Sequence, residues 1–197
     1  MFRIATSFFL FLVTSTEAFA GPLHDAARDG DLEQVRALID GGADLDAKSI
    51  NGETALNMAI LDGHVAVAGL LIDGGADVDG RNTGGFTPLH AAAYVNSVEI
   101  AEQLLSRGAD INDQMNKAGV TPLSVASEEG HSDVVKALIK HGADLEAGER
   151  NDYTPLTRAL WRGQKDVVAL LQGAGAKCQP VEILEEPAYT ECLAGQP

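Results

Sequence analysis

Threonine recurs at positions 54, 87, 121 and 154, at intervals of 33 or 34 residues, and other residues recur in step with it. One series is Leu23, Leu56, Leu89, Leu123 and Leu156, and another is Gly42-Ala43, Gly75-Ala76, Gly108-Ala109, Gly142-Ala143 and Gly175-Ala176. The single extra residue that turns 33 into 34 falls between Asp110 and Thr121. Self-similarity at this period means that one supersecondary unit is repeated, and that each unit buries its apolar face only against its neighbours.

The chemistry of each column defines the unit. Thr54, Thr87, Thr121 and Thr154 suit a helix N-cap, and Pro88, Pro122 and Pro155 follow as first-turn residues. The column Ala26, Ala59, Ala92, Ala126 and Ala159 leaves room for a second helix to approach closely. That second helix starts after Gly30, Gly63, Asn96, Gly130 or Gly163, residues suited to a tight turn. Its stripe, for example Val35/Leu38/Ile39 and Val134/Leu138/Ile139, has the three- and four-residue spacing of one helical face. The Gly-Ala series then ends the helix, and an Ala-Asp-x-Asp/Asn segment leads into the next unit.

With Thr87-Pro88-Leu89-His90 and Thr121-Pro122-Leu123, these columns resemble the ankyrin repeat family. The resemblance implies an all-α solenoid of five helix-turn-helix repeats joined by hairpin-like loops. The repeats would run about 21–50, 51–83, 84–117, 118–150 and 151–178. At the far end the column Ile39, Ile72, Leu105, Ile139 becomes Gln172, and Lys177 replaces the loop Asp, departures suited to a terminal repeat. Residues 179–197 carry Val181, Ile183, Leu184, Tyr189 and Leu193 and are expected to fold back as a capping tail.

Residues 1–20 do not join the repeat. Arg3 precedes an apolar run that reaches Val13, and Ala18-Phe19-Ala20 supplies a small-x-small end. This is the pattern of a secretory signal peptide cut before Gly21. The rival reading, a membrane anchor, needs roughly 20 apolar residues, about twice the length of this run. A periplasmic or secreted location follows, periplasmic for a Gram-negative source. The two cysteines, Cys178 and Cys192, then read as a disulfide closing a loop worth roughly 3 kcal/mol. A redox or metal pair is the alternative, but the spacing is too long for C-x-x-C and no histidine follows Cys178.

The net charge is −15, and residues 1–20 hold one base and one acid, so it persists without them. Such a charge argues against nucleic acid and anionic membranes, and it suits either a basic partner or solubility alone. Catalytic patterns are missing: there is no G-x-S-x-G, phosphate-binding Gly-rich loop or H-E-x-x-H. Asp44-Leu45-Asp46 and Asp77-Val78-Asp79 lack the rest of a calcium loop. Each histidine has a structural explanation. No enzyme activity, metal or cofactor is expected.

The resemblance implies a protein partner bound across loop tips and the concave face of the first helices, where residues that do not repeat are informative. These are Glu53, Phe86 and Tyr153 before the threonines, and Leu61-Asp62, Tyr94-Val95, Glu128-Glu129 and Trp161-Arg162 at the ends of first helices. Four of the five aromatic residues beyond position 20 fall in these columns: Phe86, Tyr94, Tyr153 and Trp161. Aromatic rings are common interface anchors, although bracing of neighbouring loops would also place them there. The expectation is an exported, monomeric protein-interaction module, with two aromatic anchors around an acidic centre at Glu128-Glu129. The role is that of a scaffold or accessory protein; the alternative is an inhibitor or immunity-type protein that neutralises an enzyme with a basic site.

Overall fold

The computed structural model describes residues 21–195, so the expected signal peptide at 1–20 lies outside the described residues. Five helix pairs follow one another: α1 (Pro22–Asp29) with α2 (Leu32–Asp40), α3 (Ala55–Leu61) with α4 (Val65–Asp73), and α5 (Pro88–Tyr94) with α6 (Val98–Ser106). Then come α7 (Pro122–Glu129) with α8 (Ser132–Lys140) and α9 (Pro155–Arg162) with α10 (Lys165–Gly173). Two short helices, α11 (Val181–Leu184) and α12 (Ala188–Ala194), make up the tail. First helices pack on first helices and second helices on second, which makes the chain an all-helical repeat solenoid.

Local chemistry starts each first helix. The side chains of Thr54, Thr121 and Thr154 accept from the backbone N–H three residues on, at 3.2, 3.0 and 3.4 Å. In the third pair Thr87 Oγ1 meets His90 Nδ1 at 2.8 Å instead. The alanine column is buried to 2 % exposure or less in every repeat, so a larger side chain there would force the helices apart. Leu71, Leu104, Leu138 and Leu171 are fully buried in the second-helix layer, each contributing about 1.5–3 kcal/mol by leaving water.

The loops are hairpin-like in one respect only. Ser49 N–H donates to Glu53 O at 2.9 Å, Asn82 to Phe86 at 3.0 Å and Glu149 to Tyr153 at 3.1 Å, but no strand forms among the described residues. A carboxylate or amide ladder stitches loop to loop. Asp46 accepts from Asp77 N–H at 2.7 Å, Asp79 from Asp110 at 3.0 Å, Asn112 from Asp144 at 2.9 Å and Glu146 from Lys177 at 2.8 Å. This ladder explains the Ala-Asp-x-Asp/Asn pattern without a bound ion.

At the far end Cys178 and Cys192 are joined by a disulfide. Leu184 and Cys192 are buried, and Gln172 donates from Nε2 to Cys192 O at 2.8 Å. Gln172 is therefore polar because it holds the tail, not because it faces water; only 8 % of it is exposed. No described helix is long and apolar enough to cross a membrane.

Candidate protein-interaction groove

The first helices and the loops before them enclose a groove of about 410 Å³ that runs from the second repeat to Arg158 of the fifth. Six of the eleven residues singled out from the sequence line it: Glu53, Leu61, Phe86, Tyr94, Glu128 and Glu129. Tyr94 is 55 % exposed and Leu61 42 %, so two large apolar side chains stand at its rim without a covering neighbour. Phe86 lies lower, its ring 5.5 Å from that of His90 in an edge-on contact.

The groove is shaped by hydrogen bonds from the loops. Asn82 Oδ1 accepts from Gly84 and Phe86 N–H at 2.9 and 3.0 Å, while its Nδ2 donates to Glu53 Oε1 at 2.8 Å. One side chain thus fixes both the loop that presents Phe86 and the carboxylate beside it. His90 Nε2 reaches Val120 O at 3.0 Å and Asn57 Nδ2 reaches Gly80 O at 3.2 Å, each tying a helix to a loop. Burial holds the His90 imidazole below its ordinary pKa. Two acceptors of the lining have no partner among the described residues: Glu53 Oε2 and Asn57 Oδ1. Buried oxygens in that state favour an incoming N–H donor.

Tyr153, Trp161 and Arg162 belong to a different cluster, on the last repeat. Their rings meet edge-on, Tyr153 to Trp161, at 4.4 Å, and Trp161 Nε1 donates to Leu184 O of the tail at 3.0 Å. The two aromatic pairs therefore sit in unlike settings, one at the rim of a groove and one braced by the tail. Asp62 is exposed and Val95 packs against the core; neither lines the groove.

Arg158, which the sequence reading overlooked, joins the two clusters. It lines the groove, lies 5.5 Å from the Tyr153 ring centroid, donates from Nε to Glu149 Oε1 at 2.9 Å and approaches Glu128 at 3.5 Å. The Glu149 carboxylate hydrogen bond raises the Arg158 pKa further above its ordinary range. Arg162 also pairs with Glu128, at 2.5 Å. Glu128 is thus compensated from two sides, while Glu53 and Glu129 make no ion pair among the described residues. A sequence signal for Arg158 existed: its column runs Asp25, Met58, Ala91, Val125, Arg158 and does not repeat.

The remaining histidines serve the stack. His24 Nε2 meets Ala47 O at 2.9 Å, and His64 and His131 Nε2 meet Arg28 O and Tyr94 O at 2.8 and 2.9 Å. His141 meets Glu102 at 2.5 Å, and with Lys140 it lowers the pKa of that carboxyl.

No curated protein matches the chain. A family model described as ankyrin repeats (3 copies) matches residues 23–115 and 112–181, and the chain belongs to the ankyrin repeat family.

Proposed function

We propose that this protein is a non-enzymatic interaction module that seats a protein partner in the groove between Glu53 and Glu129. The observation that carries the reading is the pairing of exposed Leu61 and Tyr94 with the unpartnered acceptors Glu53 Oε2 and Asn57 Oδ1. A partner element that fits brings apolar surface and at least one N–H donor, as an arginine or lysine flanked by apolar residues does. The residues of greatest weight are Tyr94, Leu61, Phe86 and Glu53. Ankyrin repeats in general mediate protein–protein contact, and the fold alone names no partner.

The same reading places the protein outside the cytoplasm, in the periplasm or secreted, as a monomer. The signal-like residues 1–20 and the Cys178–Cys192 disulfide support export. Protein recovered from the exported fraction should begin at Gly21; a chain that keeps Met1 and stays in the cytosol would contradict export.

Capture from that compartment with wild-type protein and with Tyr94→Ala tests the groove. Tyr94 is exposed, so its loss should leave the helical circular dichroism unchanged while a bound protein is lost or weakened about tenfold or more. An identical set of captured proteins would remove the groove from consideration. Inhibitor and scaffold use the same surface, and the captured protein's own activity separates them, since only an inhibitor abolishes it.

A further inference from the structure

We propose that the loop tips form a second recognition site, with chemistry opposite to that of the groove, which takes a short acidic segment of a partner protein. A depression of about 400 Å³ between the tips is lined by Lys48, Arg81, Lys117 and Arg150, and no acidic residue lines it. The full chain holds 14 lysines and arginines against 29 acids, so four bases together with no acid is a local reversal of charge.

Three of these cations are available. Lys48, Lys117 and Arg150 are exposed and make no ion pair among the described residues. Arg81 is paired with the buried Asp113, which lies behind the lining and holds the guanidinium, and Asp113 also accepts from Met115 N–H at 3.3 Å. The loops nest tightly there: a Cβ on Gly85, whose φ is +86°, would lie 2.5 Å from Met115 O. Met115 itself is 76 % exposed and lines the same depression, which adds an apolar contact amid the cations.

The segregation follows from the loop's two roles. Its Asp residues are taken up by the ladder that stitches repeats together, as in the Asp46 to Asp77 contact of 2.7 Å, which leaves the tip to the bases. A short acidic segment places its few charges on the tip cations. At physiological ionic strength, screening over about 8 Å weakens repulsion from the acids elsewhere in the chain. A nucleic acid would carry a long run of phosphates past those acids, so the local charge favours a peptide. Lys48 and Arg81, like Lys117 and Arg150, stand one period of 33 residues apart, so stacking the repeats carries them to neighbouring loops.

The test uses the full chain from Gly21 and a labelled, acetylated glutamate-rich peptide with one central leucine, at roughly 0.15 M salt. The peptide should bind, and the triple reversal Lys48→Glu, Lys117→Glu, Arg150→Glu should weaken it by about tenfold or more. Met115→Ser should weaken it by about two- to fivefold, with circular dichroism unchanged in both variants. Tyr94→Ala should bind the peptide as the wild type does, which separates this site from the groove. Absence of binding, or equal binding by the triple variant, overturns the proposal. A short oligothymidylate that binds more tightly than the peptide, and is lost in the same variant, overturns it in favour of nucleic acid.

Discussion

The two ends of the stack meet water by different means. At the start, α2 buries only Val35 and turns Glu33, Gln34 and Arg36 outward, so the terminal face is made polar by its own sequence. At the far end, α10 keeps Val167, Val168 and Leu171 buried, and Leu184 and Cys192 of the tail join the same core. A polar face needs no further chain but leaves its repeat with one neighbour. A covered face keeps its apolar burial but depends on a short segment that cannot hold itself in place. The segment is correspondingly tied down by Cys178–Cys192, by Gln172 on Cys192 O, by Trp161 on Leu184 O and by Gln179, whose Oε1 accepts from Thr154 N–H at 3.3 Å.

Breaking the covalent tie should have the largest effect on that contrast. Reduction, or Cys178→Ser with Cys192→Ala, should lower stability by about 3 kcal/mol, and amide exchange should rise in α10 more than in α2. An unchanged thermal midpoint would mean that the tail does not close the far end. Gln172→Leu restores the apolar residue of the other repeats but leaves Cys192 O short of its donor, so a loss of about 1 kcal/mol is expected. Neutral or improved stability in a denaturant titration would show instead that Gln172 is merely tolerated.

The smallest expected effect lies away from both ends and serves as their reference. His90 is buried with its pKa below the ordinary value, so the unfolded chain binds the proton more readily. Its contribution is present above the unfolded pKa and is lost as pH falls through that value towards the folded one. Between pH about 7 and 5 the wild type should therefore lose more stability than His90→Asn, which carries the residue found at position 57. Parallel pH profiles for the two proteins would assign the acid sensitivity elsewhere.

Much of this architecture is legible from residue order. The threonine caps and the alanine column express contacts within one helix pair, where partners lie a few positions apart. Phe86 and Tyr94 are also legible as departures from a repeating pattern. Arg158 departs from its column in the same way, but its role was not legible, because its partners Glu149 and Glu128 stand 9 and 30 positions away on other elements. Gln172 is legible as a departure suited to a terminal repeat, but its bond to Cys192 O, 20 positions away, is not. Trp161 and Tyr94 occupy equivalent columns, yet only Trp161 is held by α11, through Leu184 O.

By itself the sequence determined the repeat, its helices and caps, and the columns that do not repeat, since period and capping act over short range. Tertiary stacking decided which variable residues share a surface. It put Glu53 and Tyr94 along one groove, compensated Glu128 with Arg158 and Arg162, and gathered Lys48, Arg81, Lys117 and Arg150 at one depression. The physical reason is that electrostatic and apolar contacts depend on distance in space, and stacking brings residues about 33 positions apart to neighbouring places.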